Sequence, residues 1–205
     1  MDPAVVLAFA AACVVLNLVP GPGMLFITAH GVAGGRCAGV VAALGMASGT
    51  VVHTVAAALG LSALLRVAPF ALDAVRVVGA LVLLYLAISA LRSADGPGPG
   101  APRRSLRRTY WSAVLTNLAN PKVVLFFLAF VPQFVTAGGW SPVAQIVVLG
   151  GVLVVIGLVL DCVIGLAGGT FAALLARRPA VRRWLRRVSA AVLGGLAVRL
   201  LADSR

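Results

Sequence analysis

The sequence predicts an all-α membrane protein with six transmembrane helices arranged as a 3+3 inverted repeat, in which helices one and four are broken. Three observations lead there. The chain of 205 residues is 61% hydrophobic with a mean hydropathy of +1.09, far above the roughly 45–50% apolar content of a soluble domain. Its apolar residues gather into six stretches, near 3–33, 38–65, 69–91, 110–135, 143–175 and 188–202. All but the last exceed the roughly 20 residues that cross a ~30 Å hydrocarbon core. Two of the stretches are interrupted by proline beside asparagine at matching places. Because lipid offers no hydrogen bonds to free N–H and C=O groups, a spanning chain is a helix or a closed barrel; these runs lack the period-two alternation of a barrel.

The first stretch, 31 residues long, contains LNLVPGPGML at 16–25 and is too long for one straight crossing. Proline lacks an N–H and its ring clashes with the carbonyl four residues earlier, so Pro20 and Pro22 release the carbonyls of Leu16 and Leu18. Gly21 and Gly23 let the backbone turn there and let a ligand approach it. The fourth stretch repeats the device, with Pro121 releasing the carbonyl of Asn117. Irregular backbone at membrane depth is tolerated only when buried in protein or lining a cavity. A ligand-free kink is the plain alternative for either proline alone, and two breaks at corresponding places weigh against it. Half-helix N-termini offer N–H groups to an anion and freed carbonyls accept from an ammonium, the pairing that a zwitterionic amino acid needs. Asn17, Asn117 and Asn120 either touch such a substrate or satisfy the freed backbone.

Internal repetition supports the correspondence. Offset by 100 residues, LNLVPGPGMLF (16–26) aligns with TNLANPKVVLF (116–126), and offset by 110, residues 76–91 align with 186–200. A three-helix repeat reverses the orientation of its second copy, the plan of many secondary transporters. The chain thus divides into one transporter domain, 1–205: repeat 1 over about 1–92, a cytoplasmic linker over about 93–109 that contains SADGPGPGAP, and repeat 2 over about 110–205.

The net charge of +12 reads as a topology signal. Arginines concentrate in the connections at 92–108 and 177–187, with Arg36 in the first connection, giving twelve on one side against Arg66, Arg76, Arg199 and Arg205 on the other. Basic residues of short loops stay cytoplasmic, which puts both termini outside. Lacking an aromatic-studded basic face, the chain has no nucleic-acid partner in this reading. Cys13, Cys37 and Cys162 have no C-x-x-C spacing and read as small hydrophobes. Tyr110, Trp111 and Trp140 fit interfacial anchors, Asp73 and Arg76 a surface pair. The glycines of GMASG (45–49) and GLAGG (165–169) suit close helix packing.

On PGPG at 20–23, the glycine-rich stretch 38–65, NPKVVLFFLAFVPQF at 120–134 and an aspartate in helix five, the chain resembles the lysine exporter family, in particular its homoserine/threonine efflux branch. The resemblance covers essentially the full length. It implies a multi-pass carrier of the bacterial inner membrane that exports amino acids by proton antiport, without a cofactor and not an enzyme. Its partners would be an amino-acid substrate, protons and the lipid bilayer; a carrier of this size is also compatible with a homodimer. The alternative among distant relatives is a divalent metal-ion exporter, for which the ligand set here is thin.

Ionisable side chains inside a membrane cost about 2.5–3.5 kcal/mol each on insertion scales, so those present are candidates for function. Asp161 in helix five is the candidate proton-coupling carboxylate, with a static salt bridge to Lys122 as its alternative. Lys122 follows the second break and either meets the substrate carboxylate or holds the break closed. His53 in helix two has the chemistry of a proton relay, or is a hydrogen-bonded packing residue. The substrate-binding set is therefore Asn17, Pro20, Gly21, Pro22, Gly23, Asn117, Asn120, Pro121 and Lys122, the coupling set Asp161 and His53, and no metal ligands are expected.

Overall fold

A computed structural model describes residues 1–18, 21–67, 105–136 and 139–168, with isolated helical positions between 81 and 88 and between 180 and 198. Pro20, residues 93–104 and most of the third and sixth apolar stretches lie outside the described residues. The described chain is all-helical, with no strand. It runs as α1 (Pro3–Leu18), α2 (Pro22–Val67), α3 (Leu106–Leu118), α4 (Pro121–Leu125) and α5 (Pro142–Leu166), with α4 continuing into a π-helical turn (Phe126–Phe130) and a 3₁₀ turn (Val131–Phe134).

The ends of these helices follow from their residues. Ser105 and Ser141 stand in extended conformation before α3 and α5, and their hydroxyls accept from the backbone N–H of Arg108 and Ala144. Each thereby satisfies one of the N–H groups that a first helical turn leaves orphaned. Proline occupies the first position of α2, α4 and α5, where its missing N–H has no helical acceptor to lose. A turn at Ala167, whose N–H bonds the carbonyls of Val163 and Gly165, ends α5 at Leu166 rather than near 175.

As a straight rod, the 46 residues of α2 would be about 69 Å long, over twice the thickness of a hydrocarbon core. Gly35 resolves this with φ 79° and ψ −179°, a conformation open essentially to glycine alone. The chain folds back there: a Cβ placed on Gly23 would lie 3.6 Å from Met46 Sδ, although on a straight helix residues 23 and 46 would sit about 34 Å apart. α2 is thus a hairpin of two limbs, 22–34 and 36–67.

Close approach of glycines fixes how this hairpin meets its neighbours. Both limbs touch the end of α5, Gly31 at Gly165 and Gly168, and Gly39 at Gly165. The second limb meets α3, where Gly45 faces the Tyr110 carbonyl and Ala113, and Gly49 faces Asn117. Apolar area drives little association between helices in lipid, so small residues that bring backbones into dispersion contact carry the packing. GMASG and the first glycine of GLAGG serve this packing. Tyr110 Oη adds a 2.8 Å hydrogen bond to Ser48 Oγ across the same seam.

Two buried clusters result. One joins α1 to the turn after α4 and to α5 through Phe9, Cys13, Leu16, Phe126, Phe130, Leu149 and Leu153. Phe9 lies at its centre, 5.2 Å from Phe134 in an edge-on pair and 5.8 Å from Phe126. The other joins both limbs of α2 to α3 and α5 through Met24, Ile27, Ala42, Met46, Ala113 and Ile164. Outside them, Val155, Val159 and Val163 form an exposed stripe along α5, one turn apart, the pattern of a lipid-facing edge. By length and composition Pro22–Gly60 and Pro142–Leu166 suffice to cross a membrane. Leu106–Leu118 with Pro121–Phe134, bent by 47°, makes a broken span or a re-entrant loop.

The glycine contacts make a stability prediction. A Cβ on Gly165 would stand 2.6 Å from the backbone carbonyl carbon of Gly39, whereas one on Gly151 meets nothing within 4 Å. Gly165→Ala should cost about 1–3 kcal/mol through overpacking and lower the thermal midpoint in detergent, while Gly151→Ala should leave it unchanged.

Candidate functional site

Between the two clusters lies a small polar-and-apolar cavity of about 60 Å³. Its polar lining comes from Asn17, Thr50, Asn117, Asn120, Lys122 and Asp161, its apolar wall from Met24, Met46, Phe126, Leu153, Val154 and Leu158, and its close backbone from Gly21, Gly23 and Gly157. Both helix interruptions therefore open onto the same space. Residues 100 positions apart in the chain, Asn17 and Asn117, stand on its wall together.

At the first interruption, α1 ends at Leu18. Asn17 Nδ2 turns back along its own helix to the Cys13 carbonyl at 2.8 Å, which leaves its Oδ1 toward Gly157, whose Cβ, if present, would be 3.5 Å away. The Leu16 carbonyl, whose helical partner would be the N–H that Pro20 lacks, accepts from Lys122 Nζ at 2.5 Å. A donor from one broken helix thus satisfies an acceptor freed by the other. Lys122 is also near enough to Asp161 for the two charges to act on each other.

At the second interruption, Asn120 sits in extended conformation and its Oδ1 accepts from the Lys122 backbone N–H at 3.1 Å. This capping turn starts α4 and aims the lysine across the cavity. Asn117 is anchored from two sides: its Nδ2 donates to Thr50 Oγ1 at 3.3 Å, and its backbone carbonyl accepts from His53 Nε2 at 3.4 Å. Because a carbonyl only accepts, that ring nitrogen carries the hydrogen. Asn117 Oδ1 is buried without a partner and lies against Gly49 in the seam between α2 and α3. The π-helical turn that follows widens the backbone at Phe126–Phe130, the kind of distortion that often accompanies a site.

The structure gathers Asn17, Gly21, Gly23, Asn117, Asn120, Lys122 and Asp161 around one cavity. Pro22 and Pro121 do not line it; they are exposed at the first turns of α2 and α4. His53 stands one layer behind, stacked 5.9 Å from Phe127 and reaching only the Asn117 carbonyl. Pro20 lies outside the described residues. Sequence reasoning missed Thr50, Met24, Met46, Phe126, Leu153 and Gly157. Thr50 precedes His53 by one turn on the same face, a detectable hint; the apolar wall has no such signal in a chain apolar nearly everywhere. It also missed Gln145, which is buried and holds the segment after the 3₁₀ turn through the Thr136 and Trp140 carbonyls, both at 2.9 Å. No group of three or more His, Cys, Asp or Glu side chains forms among the described residues.

The cap at the second break is testable by itself. Asn120→Ala removes the acceptor of the Lys122 N–H and should destabilise the protein by about 1 kcal/mol, while Asn120→Asp keeps the acceptor and most of the stability. Thermal unfolding of the two variants in the same detergent measures the difference.

The profile of the LysE type translocator family matches residues 14–204. An uncharacterised membrane protein of Pseudomonas aeruginosa is 33% identical over 143 residues, 66% of this chain and 66% of its own length. A leucine efflux protein of Klebsiella pneumoniae is 29% identical over 156 residues, 73% of this chain and 72% of its own, and one of an Enterobacter species is 32% identical over 143 residues, 66% of each. The chain thus spans about two thirds of the length of these relatives. No solved structure matches it. Apolar helices, a break at each of two prolines and a family match over nearly the whole sequence lead to one conclusion: the chain is a multi-pass membrane protein that belongs to the LysE type translocator family.

Proposed function

We propose that the protein is a secondary transporter of the bacterial inner membrane that exports neutral, apolar amino acids of the leucine type in exchange for protons. The observation that carries this reading is the cavity itself: two helix interruptions share it, Lys122 and Asp161 give it opposite charges, and methionine, leucine and phenylalanine form the rest of its wall. A zwitterion with an apolar side chain is complementary to all three features. Its ammonium finds the Asp161 carboxylate and the Leu16 carbonyl. Its carboxylate meets the backbone N–H groups around Gly21 and Gly23 and the Asn120 amide. Its side chain lies against Met24, Met46, Phe126 and Leu153, where the unbranched thioethers adapt to different shapes. The leucine efflux relatives support the same substrate class.

In this reading the two interrupted helices belong to inverted three-helix repeats, six spans in all, with both termini outside and the site between the repeats. Rocking of one repeat against the other opens the cavity to each side in turn. Asp161 couples the motion to protons. As a carboxylate it holds the cargo's ammonium on the outward leg; protonated, it is neutral for the return. His53 steadies the Asn117 carbonyl from behind. Each cycle then moves one amino acid out and one proton in.

The test is efflux from proteoliposomes loaded with a mixture of amino acids under an imposed pH gradient. Leucine and its apolar neighbours should leave faster than lysine or aspartate, and collapsing the gradient should slow them. Asp161→Asn should abolish the response to the gradient and weaken the exchange of labelled for unlabelled leucine. Gradient-driven efflux unchanged in that variant would remove Asp161 from coupling, and efflux of a divalent metal without amino-acid flux would replace the whole reading. Gly157→Val, which adds methyl groups facing Asn17, should raise the KM for leucine several-fold more than that for alanine.

A further inference from the structure

We propose that Lys122 is a built-in stand-in for the substrate's ammonium: its Nζ supplies the Leu16 carbonyl with a donor in the cargo-free carrier, yields that carbonyl to an incoming primary ammonium, and takes it back after release. The proposal rests on the amino-acid reading above and adds the residue that makes the empty return step feasible.

Composition gives the first ground. The chain contains 17 lysines and arginines, and Lys122 is its only lysine. Every other basic side chain that is permanently charged is a guanidinium, planar and delocalised, whereas a lysine ends in a compact –NH₃⁺ with three donors. That group is chemically the α-ammonium of an amino acid. The sequence, which uses arginine sixteen times and lysine once, uses lysine at the one place where a resident side chain has to imitate the cargo.

Geometry gives the second. Lys122 starts α4 at the second interruption, yet its Nζ crosses the cavity to the Leu16 carbonyl of the first, at 2.5 Å. That carbonyl lost its helical donor to Pro20, and an unsatisfied carbonyl at membrane depth costs several kcal/mol. Cargo can satisfy it on the way out. On the way back something else has to, or the cargo-free carrier pays the full desolvation penalty whenever the cavity leaves water. When an ammonium takes the carbonyl, the charge of Asp161, which lines the same cavity within electrostatic reach, still holds Lys122. Lys122 and Asp161 are the ionisable side chains on its wall, with His53 behind it on the Asn117 carbonyl. The lysine thus lies within reach of two acceptors on the wall of the space the cargo occupies.

The experiment separates two modes of transport in proteoliposomes. Net leucine efflux needs the cargo-free return; exchange of internal labelled for external unlabelled leucine does not. In Lys122→Met, which keeps the length of the stem and loses the ammonium, the ratio of net efflux to exchange should fall at least tenfold. In Lys122→Ala, added methylammonium should restore net efflux, and tetramethylammonium, which has no N–H, should not. Exchange and net efflux falling together in folded Lys122→Met, or neither changing, would overturn the proposal. A readout in the wild-type protein covers the case in which the variants do not fold: its single lysine gives one ¹³Cε resonance. Leucine should shift that resonance and 4-methylpentanoate, the same chain without the ammonium, should not. A resonance unmoved by leucine in a protein that transports leucine defeats the stand-in alone; wild-type protein that moves no amino acid in either mode defeats the transport reading instead.

Discussion

A backbone carbonyl stripped of its helical N–H inside a membrane has to find another donor, and most of this structure follows from that requirement. Proline at position 20 creates the acceptor on Leu16; Lys122, 106 positions away in the chain, provides the donor. Bringing them together sets the positions of α1 and α4 relative to each other. The Asn120 cap aims the lysine, and the aromatic cluster of Phe9, Phe126, Phe130 and Phe134 holds the two elements side by side. The cavity is the space that remains around this one bond.

The surrounding framework is built on close approach. In lipid, where apolar surface gains little from leaving its surroundings, helices stay together through backbone proximity and a few polar contacts. Glycines at 31, 39, 45, 49, 165 and 168 provide the first. Tyr110 with Ser48 and Asn117 with Thr50 provide the second. The second limb of α2 therefore does two jobs: Gly45 and Gly49 seat it on α3, and Met46 and Thr50, on the same stretch, face the cavity. Packing and binding share one helix face, so changes at the glycines should act on stability and the site together.

Polarity within the cavity is divided in a way that suits a dipolar solute. The breaks and their side chains contribute most of the donors and acceptors, and α2 and α5 contribute methionine, leucine and valine beside Thr50 and Asp161. Neither half of the sequence holds both kinds of surface in full. The first interruption brings bare backbone with Asn17; the second brings Lys122, Asn117 and Asn120; α5 brings Asp161. A site assembled from separated segments can be exposed to alternate sides by relative motion of those segments, which a site on a single rigid helix cannot.

Much of this was legible in the sequence because it depends on local covalent chemistry. Proline removes a donor wherever it stands, so the interruption at 119–120 and the loss of a helical donor for the Leu16 carbonyl were readable directly, as were the all-helical class and the apolar runs. Family membership was readable from PGPG and NPKVVLFFLAFVPQF. What tertiary structure alone decided is which groups meet. Nothing local told that Lys122 would donate to Leu16, that His53 would stand behind Asn117 rather than on the cavity, or that Pro22 and Pro121 would face away from it. Nor could the apolar wall be singled out: where nearly every side chain is apolar, the few that meet a solute differ from those that meet lipid only in direction, and direction is fixed by the hairpin at Gly35 and the glycine contacts that orient it.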